Sequence, residues 1–143
     1  MSVRIDRRPL SVAAAYRELE RADLGGVVVF VGRVRPDRTH AGRVHALDYE
    51  AHLPLALDGL RRLERTAERK SPGGRFVLWH RVGRLTVGTA SVIVGAATAH
   101  RAEAFRISRW LIDRLKTTVP IWKSDRVRPA RRPRRRPARP GGR

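Results

Sequence analysis

VVVFVGRVRPDRTHAGRVHALDYEA, residues Val27 to Ala51, decides the fold class of this chain. Residues 27–34 are β-branched and almost continuously apolar, the pattern of a strand covered on both faces. Residues 35–43, RPDRTHAGR, carry Pro, Gly and charge and read as a loop. VHALDYEA then alternates as a second strand, with His45, Leu47 and Tyr49 on one face. Two strands follow each other with no helix between them, which points away from a doubly wound parallel sheet.

Upstream, LSVAAAYRELERA (10–22) reads as a helix with Ser11 as N-cap and Leu10, Ala14, Tyr16 and Leu19 near one side, ended by Gly25-Gly26. Downstream, Leu53 to Lys70 place Leu53, Leu57, Leu60, Leu63 and Ala67 at helical spacing, with arginines mostly elsewhere. SPGG (71–74) is a turn, FVLWHRVG a third strand, LTVGTA a hairpin-like connection and SVIVGAATA (91–99) a fourth strand. A last helix begins near His100, with Phe105, Ser108, Leu111, Ile112, Leu115 and Val119 in a core-facing band of roughly 120 degrees. Pro120 ends it. The order αββαββα with mixed or antiparallel strands gives an α+β fold.

The chain has 143 residues, the size of one domain. No apolar run approaches membrane-spanning length and MSVRIDRRPL is not built like a signal peptide, so a cytoplasmic protein is expected. With no cysteine, the chain has no thiol nucleophile or thiolate metal site, and any sulfur chemistry must use sulfur brought by a partner or substrate. The formal charge of +19 is unevenly placed. Residues 126–143 hold nine arginines and four prolines; removing those nine from the 32 basic residues leaves 23 against 13 acidic. That segment is too polar to offset its ordering entropy and is expected to be disordered, leaving 1–125 as the folded domain.

The chain lacks phosphate-binding glycine loops, HExxH and a nucleophile elbow, and its histidines lack metal spacing; no metal or cofactor is expected. Arg101 faces the core side of the last helix at its start. With His100 and the free N–H groups of that helix end it makes a seat for phosphate or carboxylate, the alternative being an ion pair with Glu103. Lys116 lies at the edge of the same stripe. It is either a partly desolvated amine available as base or nucleophile, or a snorkelling surface lysine. Arg33 and Arg35 in GRVR open a polar loop and offer forked donors for a phosphate, or else form a solvated strand end.

In order, FVGRVR, YEAH, HRVGRLTVG, AHRAEAF and LKTTVPIWK resemble the signature blocks of the MoaE family, the large catalytic subunits of molybdopterin synthase, from about Gly25 to Asp125. The resemblance implies an α/β hammerhead fold and a sulfurtransferase that converts cyclic pyranopterin monophosphate to molybdopterin. Sulfur would arrive as a thiocarboxylate on the C-terminal Gly-Gly of a small ubiquitin-like carrier subunit. The implied assembly is a homodimer of catalytic subunits with a carrier at each end, a heterotetramer.

By motif, Arg33, Val34 and Arg35 of GRVR, His100 and Arg101 of AHR, and Lys116, Lys123, Ser124 and Asp125 of the last block are the implied substrate-binding residues. Lys116 is the implied principal catalytic lysine, as general acid/base, with covalent contact to the carrier carboxyl an open alternative; Lys123 assists. Trp122 is expected to anchor the return that presents Lys123. The family's acidic residue after the second lysine is matched by Asp125, and its further aromatic segment is replaced here by the Arg-Pro tail. Arg101 and Lys116 stand fifteen residues apart on one helix, roughly 22 Å, so a shared substrate requires a site built across a dimer interface. The competing reading is a nucleic-acid-binding or carrier-binding protein with little or no catalysis, driven by the tail.

Overall fold

Alternation along the strand Arg75–Arg81 sorts the core into two halves: Phe76 and Leu78 belong to one buried cluster, Val77 and Trp79 to the other. The computed structural model describes residues 1–130. In chain order the elements are β1 (Val3–Asp6), α1 (Val12–Leu19), β2 (Gly26–Arg33), β3 (Arg38–Thr39), β4 (Gly42–Ala51), α2 (Leu53–Lys70), β5 (Arg75–Arg81), β6 (Gly83–Thr86), β7 (Ala90–Thr98), α3 (Arg101–Thr118) and β8 (Ile121–Arg128). The α+β class stands, with strands β1, β3, β6 and β8 added to the expected order.

One sheet runs β1-β5-β7-β2, with β1 parallel to β5 and the other pairs antiparallel. Helix α1 covers one face, where Ala15 and Leu19 meet Val77, Trp79 and Ile93. Ser11 caps this helix as expected, its hydroxyl accepting from the Ala14 N–H at 3.1 Å. Helices α2 and α3 cover the other face, where Leu60, Leu63, Ile107, Leu111 and Leu115 pack on Leu78, Val94 and their neighbours. Two glycines make the close approaches: a Cβ at Gly95 would stand 2.5 Å from Leu19 Cδ1, and one at Gly26 2.8 Å from the Arg101 backbone nitrogen.

A second, smaller sheet centres on β4, flanked by β6 on one side and β8 on the other, over a cluster of Val34, Val44, Leu47 and Leu85. Strand β8 continues to Arg128, so the folded body passes the expected boundary at residue 125; the rest of the tail, from 131, lies outside the described residues.

Several burial expectations are corrected. Strand β2 is not covered on both faces: it is an edge strand, only partly buried beyond Gly26, with Phe30 38% exposed. Tyr16, Leu53, Phe105 and Trp122 are all exposed. Helical spacing gives the direction of a side chain but not how far the opposing surface reaches. Phe105 and Leu53 sit near helix N-termini, and Trp122 points away from the core clusters on an outer strand, so it does not anchor the return.

Candidate functional site

Helix α3 ends where the two sheets meet. Val119 caps it, its N–H still bonded to the Leu115 carbonyl at 3.2 Å, and β8 begins two residues later. Leu115 is buried and fixes the last turn, so Lys116 beside it is carried to the surface at the mouth of a cleft of about 770 Å³. Across that cleft, alternation along β8 turns Lys123 and Asp125 inward while Trp122 and Ser124 take the other face. Tyr49, directly opposite Lys123 in the β4–β8 register, lines the same wall.

The opposite wall is the end of β2. The β2–β7 register slips between Gly32 and Arg33, a bulge that re-aims the strand end. Val34 is buried, its N–H bonded to the Thr89 carbonyl at 3.0 Å and its carbonyl accepting from Gly88 at 2.9 Å. With Val34 pinned inward, Arg33 and Arg35 both emerge into the cleft. Val34 therefore supports the strand end, its N–H and carbonyl both bonded to the Gly88-Thr89 turn, and neither it nor Ser124 lines the cleft.

The cleft thus brings together Arg33, Arg35, Lys116 and Lys123 against two carboxylates, Asp37 and Asp125. Asp37 is engaged with Arg35 at 3.2 Å. The excess of positive charge suits an anionic ligand. Among the described residues no group of three or more His, Cys, Asp or Glu side chains is placed to hold a metal ion.

His100 and Arg101 are not in this cleft. They start α3 at its far end, against Gly26. His100 is the N-cap but its side chain makes no capping bond, which leaves first-turn N–H groups open to a ligand. The ion pair with Glu103 is not formed: Glu103 meets Arg106 at 3.5 Å, and Arg101 is exposed with no salt bridge among the described residues.

Residue-by-residue reading missed Phe30, Tyr49, His80 and Ser91, all of which line the cleft. His80 is 6% exposed, its ring edge-on to Tyr49 with centroids 5.1 Å apart. Its Nδ1 lies 2.7 Å from the Arg81 carbonyl oxygen. Burial holds the imidazole below its ordinary value of 6.5, opposed by that hydrogen bond and reinforced by the charge of Lys116. The motif HRVG contained the signal, but only the fold shows which way the ring faces.

Asp48 locks strand β8 in place. Its carboxylate accepts from Arg84 Nε of β6 at 3.0 Å and from Arg126 Nε of β8, joining the three strands. Both hydrogen bonds, that of Arg84 foremost, hold the carboxyl below its ordinary 3.8. A carboxyl lowered in the folded state contributes stability that is present above 3.8 and lost as pH falls through the folded value. Amides of β8 are therefore expected to exchange faster with solvent as pH drops below 3.8, after correction for intrinsic exchange. Asp48→Asn should show the same loosening at neutral pH; unchanged β8 protection in that variant would remove Asp48 from this role.

The model of the family described as MoaE protein matches residues 5–118. The chain is 40% identical over 122 residues to molybdopterin synthase catalytic subunit 1 of Mycobacterium tuberculosis, covering 85% of this chain and 82% of that protein. Among solved structures, molybdopterin synthase from Staphylococcus aureus superimposes with a TM-score of 0.83 at 30% identity, over 87% of this chain and 90% of that one. The molybdopterin biosynthesis MoaE protein from Burkholderia ambifaria gives 0.78 at 30% identity, over 85% and 80%. Family match, identity over most of both chains and shared fold agree with the ordered motifs: this chain belongs to the MoaE protein family.

Proposed function

We propose that this protein is the catalytic subunit of a molybdopterin synthase: it transfers sulfur from the thiocarboxylated C-terminus of a small ubiquitin-like carrier subunit to cyclic pyranopterin monophosphate and so forms the dithiolene. Membership of the family and relatives that are themselves catalytic subunits support the reaction class. The observation that carries the site is the convergence of Lys116, from a helix end, and Lys123, from a strand, on one cleft with Arg33 and Arg35.

Both reactants are anions, which accounts for the cation-rich lining. Arg33 and Arg35 hold the cyclic phosphate through forked donors. The carrier's tail enters the cleft and its thiocarboxylate sulfur bonds to a side-chain carbon as that carbon's C–O bond to the cyclic phosphate breaks, the phosphate oxygen leaving. Water then hydrolyses the resulting thioester, freeing the carrier as a carboxylate, and a second thiocarboxylated carrier repeats the transfer at the adjacent carbon, whose oxygen leaves as water. Negative charge that develops on oxygen is stabilised by Lys116 and Lys123, and Lys116 moves the proton as general acid/base. His100 and Arg101 serve the same substrate from the partner protomer of a homodimer, since on their own chain they lie about 22 Å along α3 from Lys116. Among the described residues no helix is long and apolar enough to cross a membrane; the reading sets the reaction in the cytoplasm.

Reconstitution with thiocarboxylated carrier and the cyclic pterin tests the reading, with a chain ended after Arg128 beside the full chain. Dithiolene formation is expected from both, within a few-fold, because the described cleft ends at Asp125. Absence of turnover by the full chain would sink the reading. Salt-sensitive binding to nucleic acid, lost with the tail and accompanied by no turnover, would favour the nucleic-acid alternative.

A further inference from the structure

Every cation in the cleft is a donor only: arginine and lysine cannot accept a hydrogen bond. Such a set holds a phosphate and a thiocarboxylate, but a pterin ring also presents N–H and amino donors, which need acceptors. Asp37 is paired with Arg35 and the Ser91 hydroxyl already donates to the Gly32 carbonyl at 3.2 Å, while Asp125, the other carboxylate of the cleft, is exposed on β8 rather than buried against the ring site. Among the described residues His80 is a different kind of group. The carbonyl of Arg81 can only accept, so Nδ1 carries the proton in that 2.7 Å hydrogen bond and the neutral ring leaves its lone pair on Nε2. The one hydrogen bond of the ring to the described residues is that of Nδ1, and the ring lines the cleft.

We propose, resting on the sulfur-transfer reading above, that His80 is a substrate-orienting residue whose Nε2 accepts a hydrogen bond from an N–H group of the bound pterin.

The surroundings keep this acceptor an acceptor. Its strand neighbours in register, Ile5 on β1 and Val92 on β7, are apolar. Tyr49 of β4 faces the ring edge-on, and Lys116 of α3 is the charge that acts on it. The remaining charges of the cleft are Lys123 and Asp125 of β8 and the Arg33, Arg35 and Asp37 group of the β2 end. Cations outnumber carboxylates, so the field as well as burial opposes a further proton on the imidazole. A carboxylate in this position would accept equally well but would cancel a positive charge needed for the phosphate. A neutral imidazole accepts without doing so.

The test is steady-state kinetics of the reconstituted synthase, with the KM for cyclic pyranopterin monophosphate measured against pH for the wild type, His80→Asn and His80→Gln. Asparagine keeps a donor where Nδ1 stands and loses the Nε2 position; glutamine places an amide oxygen near Nε2. His80→Asn is expected to raise KM about tenfold, the loss of one hydrogen bond, with kcat and carrier affinity little changed. His80→Gln should recover most of that loss. In the wild type KM should rise as pH falls below 6.5, where the imidazolium turns the acceptor into a donor, and both variants should lack that limb.

A purely structural histidine predicts the opposite ranking, because Asn preserves the Arg81 bond and Gln does not. Wild-type KM and an unchanged acidic limb in His80→Asn would overturn the proposal while leaving sulfur transfer standing. If His80→Asn does not fold, a wild-type KM flat below pH 6.5 overturns it equally, and the limb present in wild type but absent in His80→Gln supports it. A wild type without turnover removes both this inference and the reading beneath it.

Discussion

Lys116→Ala is expected to lower kcat for dithiolene formation by about a hundred- to ten-thousandfold, the range over which a positioned general acid or base contributes. The side chain is exposed at the mouth of the cleft, so its removal leaves no cavity and should spare the fold: the buried neighbours Leu115 and Val119 hold the helix end. KM for the pterin and affinity for the carrier should change far less than kcat, because Arg33, Arg35 and Lys123 remain to attract the anions. Lys116→Arg separates charge from proton transfer. A guanidinium keeps the positive charge but does not give up its proton in the working pH range. If Lys116 acts only as a charge, arginine restores most of the rate; if it moves a proton, arginine stays within about tenfold of alanine. Activity of Lys116→Ala within a few-fold of wild type would take Lys116 out of the chemistry, and an equal loss in carrier binding would make it a docking residue instead.

The difference between what the residues announced and what the fold added lies in range. Helices α2 and α3 and strands β2, β4, β5 and β7 have apolar periods long enough to read locally, and they stand where that period put them. Strands β1, β3, β6 and β8 do not. Ile121–Arg128 reads as charged and polar, and it is a strand because β4 offers it a ladder and Asp48 binds its Arg126, partners 78 positions away in the chain. Local composition therefore assigned Arg126 and Arg128 to a disordered tail when pairing makes them part of the second sheet.

The site divides the same way. The arginines of GRVR and the two lysines could be named from ordered motifs, and the fold gathers all four. His80 and Tyr49 meet only because β5 and β4 come from different sheets that abut at this cleft, a relation that no single-strand pattern contains. The separation of Arg101 from Lys116, by contrast, was legible at once, since a helix rises by a fixed amount per residue.

That separation carries the second large effect. Arg101→Ala is expected to reduce kcat/KM about a hundredfold, as truncation of a charged group bonded to a buried anion does, while leaving its own chain's cleft intact. Mixed with Lys116→Ala, it should recover activity that neither variant has alone. In a two-fold dimer each site would take Lys116 from one protomer and Arg101 from the other, so a mixed dimer has one site lacking both groups and one with both intact. Random exchange of protomers makes half the dimers mixed, which restores about one quarter of wild-type sites. The measurement is turnover after the two variants are unfolded and refolded together, against the same variants refolded separately. Recovery would require two chains in each site, because no rearrangement within one chain brings groups roughly 22 Å apart on a single helix to the same phosphate. If the mixture is only as active as the average of its components, although mixed dimers form, Arg101 acts within its own chain, and the anion seat at the start of α3 serves something other than the substrate held by Lys116.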